Sequence, residues 1–194
     1  MKLTYYQDIR MFPDAEVGSR EIGEKLFFIL HLEFVKNKDS QGLSKYALSF
    51  PEYSKHTKTL GRYFRVMAYD RNSLNELNLK TLCERMSGYV ECSDIEEIPE
   101  TNRFLRFERV QGKTNSKRLM RRMIKRKGVT SEEAKEAYKG FIPADMSKYP
   151  YVSVRSISTG QNFKLYINCN VVTNKGNSGF NMYGLSNGGN VPDF

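Results

Sequence analysis

The sequence predicts an α+β fold built in two parts, and three observations carry that reading. Stretches of strand-like alternation are interleaved with stretches of helical period across residues 1–98. The charge then changes: residues 1–100 hold 14 Lys and Arg against 16 Asp and Glu, a net of −2, whereas residues 101–194 hold 17 against 6, a net of +11. Finally, residues 115–128, NSKRLMRRMIKRKG, concentrate cations with no acid among them.

In the first part, LTYYQDIRM (3–11) reads as a strand. In SREIGEKLFFILHLEFV (19–35), Ile22, Leu26, Ile29 and Leu30 recur at helical spacing and Ser19 is the expected N-cap. The run LFFIL leaves a strand open there, but the length favours a helix. KYALSF, ending at Pro51, reads as a short strand, and YFRVMAYD (63–70) as another, with Phe64, Val66 and Ala68 on one face. NSLNELNLKTLCERM (72–86) reads as a second helix, and GYVECSDIEEI (88–98) as a strand before Pro99. The order β-α-β-β-α-β is the ferredoxin-like (RRM-like) pattern. It hosts many functions and settles none by itself. The expected domains are therefore 1–98, ferredoxin-like, and 99–194, a basic C-terminal domain.

In the second part, RFLRFERVQGK (103–113) alternates basic and apolar residues like a strand charged on one side. The basic stretch follows as a helix. TSEEAKEAYKG (130–140) is a second one, with Thr130 and Glu133 at capping-box spacing and Gly140 as its stop. YVSVRSISTGQNFKLYIN (151–168) predicts a hairpin turning near Thr159–Gly160. From residue 173 the chain is rich in Gly and Asn.

Several classes are disfavoured. Cys83, Cys92 and Cys169 form no CxxC, and two histidines, His31 and His56, do not make an HExxH site. His56, in the polar stretch YSKHTKTLG, reads as incidental. YGLSNGG lacks the GK[ST] ending of a phosphate loop. No cofactor is implied. LFFIL is far shorter than the ~20 residues that span a bilayer, so the expectation is a cytoplasmic protein with reduced thiols and no membrane partner.

Wound at 100° per residue, Leu119, Met120, Met123 and Ile124 fall within an arc of about 140°, while Lys117, Arg118, Arg121, Arg122, Lys125 and Arg126 fill the opposite side. Asn115 or Ser116 is placed to cap the start and Gly128 to end the helix. A solvated face usually mixes signs; here Arg dominates and acids are missing. A membrane-surface helix needs greater apolar depth. Nucleic acid fits best, because the guanidinium fork matches phosphates and guanine edges. Other segments favour RNA. Arg109 and Gln111 share one face of a strand-like stretch, and such side chains grip guanine and adenine edges in bidentate fashion. Without the neighbouring basic helix they would read as ordinary strand surface residues. Ser156, Ser158 and Thr159 stand beside Gly160, with Phe163 available to stack on a base or to pack in a core.

DIR near the start, the helix motif ending LH, SFPEY, RVQGK, SKRLMRRMIKR, VSVRSISTGQNF, YGLSNGG and VPDF, in this order, resemble the type I-F CRISPR repeat-processing endoribonucleases, the Csy-type branch of the Cas-six superfamily. The resemblance covers nearly the whole chain. It implies a ferredoxin-like N-terminal half and a C-terminal half that holds a CRISPR repeat hairpin. It further implies metal-independent cleavage of precursor CRISPR RNA at the 3′ base of the stem, and a product that stays bound in a surveillance complex with other subunits, the free protein being a monomer. By the same resemblance His31 is the catalytic base, Ser156 positions the nucleophilic 2′-hydroxyl and Tyr183 lies near them. Arg109 and Gln111 read bases in the lower stem. Arg118, Arg122, Lys125 and Arg126 enter the RNA major groove, and Phe163 stacks beneath the last base pair. Lys113, Arg155 and Ser158 complete the expected RNA contacts. The chain departs from the family pattern at Lys125, where Arg is usual, and at Asp193 in VPDF.

The chemistry is coherent without the family. RNA is cut by its own 2′-hydroxyl, given deprotonation and in-line placement. A neutral imidazole suits the proton transfer, and cations suit the developing phosphorane charge. His31 lies opposite Ile22 on the helix wheel and shares a line with Phe27 and Val35. That placement also fits a histidine with a packing role only. Two classes thus remain: an RNA-cutting enzyme and a catalytically inert module that binds an RNA stem-loop.

Overall fold

The computed structural model describes residues 2–113, 115–156, 159–174, 176 and 179–194. It is a mixed α+β structure with two antiparallel sheets. By its internal contacts the chain divides into one compact unit, Met1–Arg109 with Tyr149–Phe194, and a second, Val110–Lys148.

The first sheet has the order β2-β3-β1-β4, where β1 is Tyr5–Met11, β2 Tyr46–Ser49, β3 Tyr63–Ala68 and β4 Val90–Cys92. A short β5, Glu96–Glu97, also pairs with β1. The register is fixed by alternation: Gln7, Ile9 and Met11 turn inward on β1, and a slip of one residue would bring the other face to the core. Helix α1, Ser19–Lys36, buries Ile22, Leu26, Phe27, Leu30 and Phe34. LFFIL is therefore helical, as its length favours. The N-cap is Gly18 rather than the expected Ser19, and it makes no side-chain cap bond.

The expected second helix divides into α2, Arg71–Leu77, and α3, Leu79–Glu84. Asn78 between them is left-handed, with φ +47°, a conformation that Asn tolerates better than most residues. It caps the end of α2 and the start of α3, its side chain accepting from Thr81 N–H. The expected strand 88–98 is likewise interrupted. Ser93 Oγ accepts the Asp8 N–H at 3.0 Å, taking the place of a ladder carbonyl and separating β4 from β5.

The second sheet has the order β7-β8-β6-β9, with β6 Phe104–Val110, β7 Tyr151–Arg155, β8 Asn162–Val172 and β9 Val191–Pro192. The expected hairpin is β7–β8, with β8 running beyond residue 168, and Gly160 takes φ +66° in its turn. The Gly- and Asn-rich segment leads into β9, which pairs with β6. Asp193 forms an ion pair with Arg103 at 2.9 Å. Phe194 packs edge-on against Tyr6 and beneath the Arg65 guanidinium. No described helix is long and apolar enough to cross a membrane.

In the second unit, α4 (Ser116–Lys127) packs against α5 (Ser131–Ala137). Thr130 and Glu133 form the expected capping box, and the two Thr130 hydrogen bonds hold the Glu133 carboxyl below its usual range. Helix α5 ends at Ala137, short of Gly140.

Candidate active site and nucleic-acid interface

His31 projects from the middle of α1, one residue beyond the buried Leu30, and is half-buried. Its Nδ1 lies 2.7 Å from the main-chain oxygen of Met182. A carbonyl only accepts, so Nδ1 carries the hydrogen, and in the neutral ring Nε2 keeps the lone pair. The Tyr183 ring stacks on the imidazole, with centroids 4.3 Å apart and planes 20° from parallel. Phe27, one helical turn before His31, stacks on the same tyrosine at 6.0 Å.

The segment carrying Met182 and Tyr183 is held closely. Gly184 N–H donates to Asn181 C=O at 2.8 Å, closing a turn. Gly184 has φ +70°, and its own carbonyl accepts the Leu48 N–H at 2.8 Å. A Cβ there would lie 2.8 Å from both Leu48 Cβ and Phe34 Cε2. Only glycine lets this turn approach α1 and β2 so closely.

Arg109, near the end of β6, extends its guanidinium over this cluster, 5.3 Å from the Phe163 ring centroid and 5.9 Å from that of Tyr183. Phe163 lies on β8 opposite Val154 and is half-buried, packed against the core. Ser156 opens the β7–β8 turn. Its N–H donates to Gln161 C=O at 2.9 Å, its carbonyl accepts the Gly160 N–H at 2.8 Å, and its Oγ accepts the Thr159 N–H at 3.3 Å. Arg155 just before it is exposed. Ser158 lies outside the described residues. His31, Tyr183, Arg109 and Phe163 thus form one chain of ring and cation contacts, with Ser156 and Arg155 in the same unit.

The second unit holds the other expected contacts. Gln111 and Lys113 are exposed on the segment after β6, where the Lys113 carbonyl accepts the Ala144 N–H at 2.9 Å. Asn115 caps α4 by accepting the Arg118 N–H at 3.1 Å, and Gly128, left-handed, ends the helix. Leu119, Met120, Met123 and Ile124 are half-buried, whereas Arg118, Arg122, Lys125 and Arg126 are exposed. Among the described residues none of these four cations forms an ion pair. Like charges four residues apart destabilise an isolated helix, so this face suits a polyanion.

Residues 6–194 match the family model described as CRISPR-associated protein (Cas_Csy4). The chain belongs to this family. It is 32% identical, over 195 aligned residues, to a CRISPR-associated endonuclease Cas6/Csy4 of Pseudomonas aeruginosa (strain UCBPP-PA14), covering 99% of this chain and 100% of the relative. It is 28% identical, over 193 residues, to a protein of the same name from Escherichia coli (strain UTI89 / UPEC), again covering 99% of this chain and 100% of the relative.

Within this Csy4-family chain, Met182 and Asn181 stand in no motif that marks them as functional. Met182 meets His31 through a main-chain atom, which the identity of residue 182 does not announce. Asn181 carried a readable signal: Asn three residues before Gly, in NMYG, is a turn signature. His56 lies exposed between β2 and β3.

Proposed function

We propose that this chain is a metal-independent endoribonuclease that binds the stem-loop of a CRISPR repeat and cuts precursor CRISPR RNA at the 3′ base of the stem. The observation that carries the proposal is the His31 ring, held by Met182 C=O and Tyr183 with Nε2 left as its basic atom. The names of the relatives, CRISPR-associated endonucleases, support an endonuclease of a CRISPR system.

In the proposed reaction His31 Nε2 takes the proton of the 2′-hydroxyl. The freed oxygen bonds to the adjacent phosphorus, the bond from phosphorus to the 5′ oxygen breaks, and that oxygen takes a proton from solvent as it leaves, His31 later returning its own proton to solvent. The products are a 2′,3′-cyclic phosphate and a 5′-hydroxyl. The nucleophile belongs to the RNA, so the step needs a base and charge stabilisation but no activated water. Ser156 holds the 2′-hydroxyl, and Tyr183 keeps the imidazole in plane.

Residues 1–98 serve as the ferredoxin-like scaffold, which the strand order β2-β3-β1-β4 supports, and residues 99–194 as the RNA-binding part. Arg118, Arg122, Lys125 and Arg126 lie along the major groove of the stem. Arg109 and Gln111 read base edges, Phe163 stacks beneath the last pair, and Lys113, Arg155 and Ser158 add contacts. The free protein is a cytoplasmic monomer that keeps its product and enters a surveillance complex with other subunits.

The test is incubation with the repeat RNA in EDTA. The parent should cut once, leaving the cyclic phosphate. His31→Ala should lose a factor of ~10²–10⁴ in rate and still bind, because one imidazole adds little to an interface of many cations. A substrate with a single 2′-deoxy nucleotide at the cut should bind and stay intact. Cutting of that substrate, or a need for Mg²⁺, would sink the mechanism. Tight binding without any cutting would leave an inert RNA-binding module.

A further inference from the structure

The turn that carries Tyr183 is anchored to β2 and the segment before it at two points. Ser44 N–H donates to Phe180 C=O at 2.9 Å, and Leu48 N–H to Gly184 C=O at 2.8 Å. Between these anchors the turn is organised by one side chain: Asn181 Oδ1 accepts the N–H of Tyr183 at 2.8 Å and of Leu185 at 3.3 Å. The peptide unit joining Met182 to Tyr183 therefore has its N–H bound by Asn181 and its C=O bound by His31 Nδ1. One rigid plane links the amide side chain to the imidazole.

We infer that Asn181 is a positioning residue for the cleavage reaction. By holding that peptide plane it keeps the Met182 carbonyl against His31 Nδ1 and the Tyr183 ring against the imidazole face, and so keeps Nε2 the basic atom. The inference rests on the reading of His31 as the base. Its physical content is tautomeric. A neutral imidazole released from the carbonyl exchanges its hydrogen between the two nitrogens, and the form with hydrogen on Nε2 presents a donor where the 2′-hydroxyl needs an acceptor. Loss of Oδ1 also frees two N–H donors and lets the turn drift. A displacement of about 1 Å at a reacting group costs up to ~10²-fold in rate.

The test uses the full-length chain with ¹⁵N-labelled histidine in a His56→Gln background, so that one imidazole is observed. At a pH where the ring is neutral, the protein with Asn181 should show hydrogen on Nδ1 and a bare Nε2. Asn181→Ala should shift the spectrum toward a tautomer mixture and slow single-turnover cleavage by roughly tenfold to a hundredfold, with affinity for the 2′-deoxy repeat unchanged. Asn181→Asp keeps the acceptor and should restore both signals. Asn181→Ser, whose hydroxyl closes such turns more weakly, should restore them in part. An Asn181→Ala protein with the parental tautomer, or one that cuts at the parental rate, would overturn the inference, as would equal loss in the Ala, Ser and Asp variants. If His31→Ala instead cuts like the parent, the reading of His31 fails and takes the role in cleavage with it. The tautomer shift would then still report the hold of Asn181 on the ring, so the two failures are distinguishable.

Discussion

Replacing Gly184 by Ala should damage both the stability of the first unit and its chemistry, by amounts the geometry sets. Gly184 has φ +70°, where an L side chain costs ~1–2 kcal/mol. The new Cβ would also lie 2.8 Å from Phe34 Cε2, 2.8 Å from Leu48 Cβ and 3.0 Å from Leu48 N. Rotating Phe34 relieves the first contact. The last cannot be relieved that way, because Leu48 N–H is bonded to the Gly184 carbonyl itself. Overpacking of this kind typically costs ~1–3 kcal/mol, so the two terms together reach ~2–5 kcal/mol. With a urea m-value of ~2 kcal/mol/M, the unfolding midpoint should fall by about 1–2.5 M. The assay is equilibrium urea unfolding followed by circular dichroism, paired with single-turnover cleavage of the repeat RNA. Cleavage should fall more than stem affinity, because the turn carries Met182 and Tyr183 and none of the α4 cations. An unchanged midpoint with parental cleavage would refute the close approach of this turn to α1 and β2.

Other outcomes follow from the same geometry. Arg122→Ala should flatten the dependence of log K on log salt by about 0.9 if this cation meets a duplex phosphate; an unchanged slope in single and combined α4 variants would place the RNA elsewhere. Arg109→Ala and Gln111→Ala should each cost ~1–3 kcal/mol in binding and relax preference at one stem pair, measured against a panel of mutated stems. Asp70 caps α2 by accepting the Ser73 N–H and hydroxyl, which hold its carboxyl below the usual range. Its contribution is therefore present above the unfolded-state pKa of about 3.9 and is lost as pH falls through the lower folded value. Asp70→Ala should cost ~1 kcal/mol at pH 7 and less once Asp70 is protonated in both the folded and the unfolded protein, where only a neutral cap remains to be lost, read by thermal melts across pH.

The parts of this fold that were legible are those where one face is buried at a regular period. The alternation in β1 and the spacing of Ile22, Leu26 and Leu30 announce their elements because burial repeats with them. The α4 face was equally plain, since its cations and apolar residues separate on the wheel and Asn115 and Gly128 bracket them. What stayed hidden depended on single residues or main-chain atoms. Asn78 divides a helix by adopting φ +47°, and Ser93 divides a strand by supplying one hydroxyl to Asp8. Neither breaks the apolar pattern around it. At the site, His31 was named by resemblance, but its Nδ1 partner lies 151 residues away and is a main-chain oxygen. The sequence places Arg109 at base edges or on a plain strand surface, while its guanidinium also lies over Phe163 and Tyr183; the cross-strand placement behind that contact emerges only when the sheet forms.

The charge that suits α4 for RNA also works against α4 itself. Lys117–Arg121, Arg118–Arg122, Arg121–Lys125 and Arg122–Arg126 are like-charge pairs four residues apart. At ~0.2–0.5 kcal/mol each, they oppose the helix by about 1–2 kcal/mol at low salt. No residue of α4 is fully buried, so little packing energy offsets this, and the Asn115 and Gly128 caps become correspondingly important. Added salt screens the repulsion and should stabilise the free helix, while the same salt competes with the cations for phosphate and weakens the complex. Amide exchange across residues 116–127 should therefore slow in the free protein as salt rises from about 50 to 200 mM, over the range in which repeat affinity falls. Bound RNA should slow that exchange at low salt more than salt alone does, because phosphates remove the repulsion and desolvate the helix together. Exchange that quickens with salt in the free protein would show that the pairs do not strain α4, and that its caps and its packing on α5 alone set its stability.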